Sequence, residues 1–168
     1  MKQAPAEEIL IVDEKDRIVG HRPRSEVDEK NLRYRVAALW LKNQKGESLL
    51  ARRAYTKTHE PGRWGPAVSG TVPVGESYLD ALLREAKEEL GLSGLALKDG
   101  PKERIDGSHC CFNQWFTSTL DKPAEDIVIQ REEVAEVKWF SKKELQKRIE
   151  TDPEEFIGGM KKYCGLFA

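Results

Sequence analysis

The stretch from Gly70 to Leu92, GTVPVGESYLDALLREAKEELGL, constrains this chain more than any other. Pro73 and Gly75 bar its first part from regular structure, so it must be a loop. From Leu79 on, good helix formers recur at three- and four-residue spacing, which predicts a strong helix. Ser77 and Asp80 stand where a capping box belongs, and Gly91 stands where a helix stops. On a wheel of about 100° per residue, Glu85, Glu88 and Glu89 share one face. Leu79, Leu82, Leu83, Ala86 and Leu90 form the neighbouring apolar stripe expected to meet a core. Like charges at this spacing repel. A hard divalent cation that takes carboxylate oxygens would relieve them. The bland alternative is a solvated acidic face on a surface helix.

A length of 168 residues suggests one domain with a sizeable core. With 39% hydrophobic and 34% charged residues, the composition is that of a soluble globular protein. A net charge of −1 gives no steering toward nucleic acid or an anionic membrane, and neither is expected as a partner. No apolar run approaches the ~20 residues a bilayer requires, and MKQAPAEEIL has no apolar signal core. Cytoplasmic residence is the expectation. Cys110, Cys111 and Cys164 do not read as a disulfide framework. Adjacent strand residues face opposite ways, so Cys110 and Cys111 are poorly placed to share a metal.

Along the chain, residues 7–22 read as a hairpin, and a short helical turn follows near Arg22–Val27. Residues 33–43 read as a strand buried on both faces, turning at Asn43–Gly46 into a partner over Ser48–Arg53. Tyr55 to Trp64 reads as a loop, and Pro66 to Ser69 leads into the acidic helix segment. Strands are expected within Leu95–Ile105, over 110–119 and over 133–140. Ser141 and Glu144 read as a second capping box, opening a helix to about Arg148. Asp152-Pro153 reads as the start of a last helix toward Tyr163, weakened by Gly158-Gly159. The order is that of a mixed α+β domain. Residues 1–30 form an N-terminal β-hairpin extension of it, and residues 31–168 form its body. Paired N-terminal strands are compatible with a homodimer.

Gly70, Glu76, Arg84, Glu85, Ala86, Glu88, Glu89, Gly91 and Leu92, at this spacing, resemble the Nudix hydrolase motif at every specified position. The resemblance implies the Nudix fold, an α/β/α sandwich with a mixed sheet. It implies a hydrolase that uses Mg²⁺ or Mn²⁺ to cleave a pyrophosphate bond in a nucleoside diphosphate derivative, a small-molecule diphosphate partner. By the same resemblance Glu88 and Glu89 are metal ligands. Glu85 is a further ligand or the base that orients water. Gly70 offers its carbonyl, and Glu76, Arg84 and Gly91 hold the motif together. Outside the motif, Glu133 is the chosen additional metal-binding carboxylate. Arg52 and Arg53 are candidate diphosphate clamps, of which strand alternation should turn only one into a cleft. Trp64 is a candidate stacking surface for a base, as are Phe112 and Trp115, although aromatics on strands more often fill cores.

The preceding segment, THEPGRWGPAVSGTV, resembles isopentenyl-diphosphate isomerases, which share the fold. Ser69 stands where their chemistry needs a cysteine, and a hydroxyl is too weak an acid to replace a thiol. Thr71 and Tyr34-Arg35 stand where metal-binding histidines are expected. The full acidic cluster favours a hydrolase with an isomerase-like outline. The alternatives are an isomerase-like enzyme or a non-catalytic nucleotide-binding module.

Overall fold

The computed structural model describes residues 8–168; residues 1–7, including Glu7 at the start of the expected hairpin, lie outside the described residues. Strands β1 (Glu8–Val12) and β2 (Ile18–Pro23) form an antiparallel hairpin, followed by helix α1 (Arg24–Lys30). The hairpin's tip is tied down by Asp16, which is held at φ 60°. Its carboxylate accepts from Arg35 Nε at 2.7 Å, from Lys102 Nζ at 2.6 Å and from the Tyr78 hydroxyl at 3.0 Å.

Strand β3 (Tyr34–Lys42) is the hub of a mixed sheet. It runs parallel to β8 (Cys111–Thr119) over its whole length, and β7 (Lys98–Ile105) pairs with β8 on the outside. Its ladder with β4 (Ser48–Arg53) holds only two residue pairs, Leu41–Leu49 and Lys42–Ser48. Beyond them the two strands part. β6 (Val68–Thr71) pairs with β3 along Val36–Leu39 in place of β4. β4 instead pairs with β5 (Trp64–Pro66) and with β9 (Val134–Phe140). The sheet is therefore split on one side, and that split holds the site. The sequence places a loop over Tyr55–Trp64 and only a lead-in over Pro66–Ser69; strands this short, interrupted by Gly65, Pro66 and Gly70, carry no periodic signal.

Alternation along β3 sorts the core. Ala37, Leu39 and Leu41 pack beneath helix α2 (Tyr78–Leu90), together with Ala81, Leu82, Ala86 and Leu90 from the helix. Ala38 and Trp40 face the other way, against α3 (Lys142–Thr151) and α4 (Met160–Phe167). The result is the α/β/α sandwich expected. Two details of α2 differ from the expected stripe: Leu79 is 42% and Leu83 39% exposed, whereas Ala81 is fully buried. The small residues mark the contact line because they let the helix approach closely.

The C-terminal helix also differs from expectation. Pro153–Glu155 makes only a single 3-10 turn. The chain then extends, and α4 starts at Met160 after Gly159 at φ 85°. At Ser141 only half of the expected box forms. Its hydroxyl accepts from the Glu144 amide at 3.2 Å, but the Glu144 carboxylate turns to Lys138 Nζ at 2.8 Å.

Candidate active site

The acidic helix is fixed at both ends. The Ser77 hydroxyl accepts from the Asp80 amide at 3.1 Å, and the Asp80 carboxylate accepts from the Ser77 amide at 3.1 Å. Gly91 closes the helix in the left-handed conformation, φ 61°, and its amide donates back to the last turn. Buried Ala81, Leu82, Ala86 and Leu90 set the rotation. Glu85 and Glu89 thereby turn toward the split in the sheet, and Glu88 lies at its rim.

There a cleft of about 640 Å³ opens between β6 on one side and β4 and β5 on the other. Gly70, Glu85, Glu88, Glu89 and Glu133 all line it. Gly70 is placed so close to the helix that a Cβ on it would lie 2.6 Å from Glu85 Cγ and 2.9 Å from its Oε1. Glycine is therefore what lets the Glu85 side chain keep this position.

The electrostatics are dominated by burial. Withdrawal from water pushes the Glu89 carboxyl up to about 8. The like charges of Glu85 and Glu133 push the same way, against Lys57 and Arg53. Burial also raises Glu85, opposed by Arg84. Arg84 is the main cation on the helix: its Nη1 donates to Glu85 at 2.9 Å and to Glu88 at 3.1 Å, and its Nε donates to Glu76 at 2.9 Å. These contacts bind loop, helix and acidic face together. Lys57, on the loop after β4, donates to Glu133. With these cations interposed, no three acidic, histidine or cysteine side chains among the described residues converge as a ready coordination sphere. The carboxylates that line the cleft are oxygen donors, which is the chemistry a hard divalent ion takes.

Strand alternation would turn only one of the two arginines into the cleft, but both line it, and their contacts differ. Arg53 acts on Glu89, and its Nε donates to the His59 carbonyl at 3.0 Å. Arg52 lies 5.6 Å over the ring of Trp64 and 5.5 Å over that of Tyr55. Trp64 does not serve as an exposed stacking surface. It is 2% exposed and packs edge-on against Phe140 at 5.2 Å, because its position on β5 faces α3 and α4. Phe112 and Trp115 are likewise buried and absent from the cleft wall. The opposite wall holds Tyr34, Ser69 and Thr71, which the isomerase-like outline singles out, and adds what sequence analysis missed: Arg24 and Asp28 from α1 and the His59–His109 pair, with ring centroids 5.0 Å apart. Nothing in local periodicity brings these segments together.

A sandwich whose split sheet faces a carboxylate-bearing helix across a glycine defines a class of enzyme that handles phosphoanhydrides. The sequence model of the NUDIX domain matches residues 31–158, and the chain belongs to the Nudix family, as a pyrophosphohydrolase. It is 37% identical to an uncharacterized Nudix hydrolase of Streptomyces coelicolor, across 97% of this chain and 90% of that one. A second such relative, from Pseudomonas aeruginosa, is 36% identical across 80% of this chain and 79% of its own. In fold the chain is similar to a Deinococcus radiodurans crystal structure with a TM-score of 0.81 at 24% identity, over 96% and 99% of the two chains. It is also similar to a Caenorhabditis elegans Ap4A hydrolase complex with a TM-score of 0.58 at 23% identity, over 79% and 93%. Nudix hydrolases generally use divalent metals.

Proposed function

We propose that this protein hydrolyses a pyrophosphate bond in a nucleoside diphosphate derivative with the help of Mg²⁺ or Mn²⁺. The observation that carries this reading is the half-buried Glu89 carboxyl, crowded by Glu85 and Glu133 in one cleft opposite Gly70. Half-buried carboxylates crowded in this way are costly without cations. The chain's own cations, Arg84, Lys57 and Arg53, offset only part of that repulsion, because the Glu89 pKa stays raised.

Glu85, Glu88, Glu89, Glu133 and the Gly70 carbonyl are the groups assigned to hold the ion. When bound, it supplies neutralisation of the phosphates and a more acidic water. The residues themselves do the rest. Arg84 orients Glu85 and Glu88 while keeping the Glu76 loop against the helix. Glu85, beside Gly70, is the carboxylate assigned to accept the proton of the attacking water, at Oε1 or Oε2. Arg53 offers a planar fork to a diphosphate oxygen from the opposite strand. The N-terminal extension belongs to the same domain in this reading, since Asp16 ties its described part, residues 8–30, to β3, β7 and α2.

An isomerase-like reading has less support. Ser69 lines the cleft where that chemistry needs a thiol, and none of Cys110, Cys111 and Cys164 does. Burial also pushes the Cys111 thiol up to about 11. A non-catalytic module would have no use for the intact carboxylate set. The test is release of phosphate or nucleoside monophosphate from a panel of nucleoside di- and triphosphates, ADP-ribose, UDP-glucose and diadenosine tetraphosphate, with Mg²⁺ or Mn²⁺. Metal-dependent turnover of at least one is expected. Turnover without metal, or conversion of isopentenyl diphosphate with no phosphate released, would overturn the reading.

A further inference from the structure

Two cations touch the acidic cluster, and they are held differently. Arg84 grips Glu85, Glu88 and Glu76, and Glu76 is not part of the cleft wall, so the guanidinium keeps a partner whatever happens at the acidic face. Lys57 stands on one carboxylate: among the described residues, Glu133 is the only one within 4 Å of its Nζ. The two side chains are 31% and 35% exposed, and an ion pair so well solvated contributes little.

Backbone pairing puts Lys57 there. The Ala54 amide donates to the Glu133 carbonyl at 2.9 Å, and the Lys57 amide donates to the Ala54 carbonyl at 3.2 Å, a turn that brings the lysine stem back over Glu133. The far end of the same loop is anchored separately. The Glu60 carboxylate accepts from the Gly158 amide at 2.8 Å, and the His59 carbonyl accepts from Arg53 Nε at 3.0 Å. The ammonium can therefore leave Glu133 by turning about its own four-carbon stem while the loop stays in place.

We infer, on the basis of the pyrophosphohydrolase reading, that Lys57 is a diphosphate-binding residue kept in reserve by Glu133: it stands in for the divalent ion in the metal-free protein and passes to the substrate once the ion takes Glu133. Lys57 and a metal compete for the same carboxylate charge, and a doubly charged ion is attracted to it more strongly than an ammonium. Lys57, once displaced, shares the cleft with an added cation and with Arg53. The anion that balances these charges together is a diphosphate, and an ammonium binds phosphate oxygens as a point charge. Substrate binding is thereby coupled to metal loading through one side chain.

Mn²⁺ affinity, read by electron paramagnetic resonance on the full-length protein, tests the first half of the exchange. Lys57→Met keeps an unbranched stem and removes the competitor, so Mn²⁺ should bind about two- to fivefold more tightly than to wild type. In a Glu133→Gln background the same substitution should have almost no effect, since a screened charge alone acts weakly. An unchanged affinity in Lys57→Met, or an equal gain with and without the Glu133 carboxylate, overturns the exchange and leaves the pyrophosphohydrolase reading standing. No Mn²⁺ binding to wild type sinks both. The second half is read with α,β-methylene-ADP in saturating Mg²⁺, by calorimetry. Lys57→Met should bind the analogue about tenfold more weakly than wild type, the effect of losing one charge-assisted hydrogen bond. Equal binding by the two proteins, including none by either, overturns the assignment of Lys57 to the diphosphate.

Discussion

The two faces of the sheet are packed by different means. Beneath α2 the contact is made by small residues, Ala37, Ala51, Ala67, Ala81 and Ala86, interleaved with leucines. Beneath α3 and α4 it is made by rings: Trp40, Trp64, Trp115, Phe140, Phe156 and Tyr163. Trp40 and Trp115 meet edge-on at 6.2 Å, and the Trp40 Nε1 is satisfied by the buried Ser48 hydroxyl at 3.0 Å. Aromatic packing buries much area per residue and stabilises the domain. Alanine packing buries less, but it brings the helix axis close enough for Glu85 to touch the backbone at Gly70. Both faces carry a buried core, but only the alanine-lined one sets the distance between helix α2 and the site.

Substitutions on the two faces should therefore separate activity from stability. The largest effect is expected from Glu89→Gln, which keeps the shape and removes the charge. Turnover on the best substrate of the panel should fall on the order of 10²- to 10³-fold, with an unchanged far-UV spectrum and a melting temperature no lower than wild type. On the other face, Leu145→Ala should cost about 2–5 kcal/mol in denaturant unfolding, since Leu145 is fully buried. Its kcat/KM below the transition should stay within about twofold, because the site is remote and effects at distant positions are independent. Gly70→Ala sharpens the contrast. Its methyl would collide with the movable Glu85 side chain, so Glu85 should swing away. Activity should drop about 10- to 100-fold, with a stability change below about 1 kcal/mol.

A further expected effect is a pH dependence. Glu89 has a folded pKa raised from 4.5 to about 8, so its contribution to stability is present below about 4.5 and is lost as pH rises through about 8. Metal-free protein should lose stability across that window, and the slope should flatten in Glu89→Gln. Mg²⁺ binds the deprotonated group, so its stabilising effect on melting should be larger at pH 8 than at pH 5. Equal stabilisation at both would detach Glu89 from the metal.

The acidic helix was legible because everything that fixes it is local: the Ser77–Asp80 cap, the Gly91 stop and the carboxylate spacing lie within one window. So was β3, whose two-sided burial shows as an unbroken apolar run. What escaped was settled by distant partners. Leu79 and Leu83 satisfied the wheel but are displaced from the contact by Ala81, because the sheet beneath demanded the smaller residue. Trp64 looked available until β5 proved to face the aromatic core. Helix α4 began later than Pro153 suggested, since a proline suited to a first turn cannot extend a helix through Gly158-Gly159. The second wall of the cleft joins α1, β3 and β6 to His59 and His109, and no single window of sequence contains it.

The most direct measurement is anomalous diffraction from crystals soaked in Mn²⁺. The account predicts a peak in the split of the sheet, in contact with carboxylate oxygens of the Glu85–Glu89 helix turn and with the Gly70 carbonyl. A clean map at that place, with Arg84 still clasping Glu85 and Glu88 at saturating Mn²⁺, would contradict it.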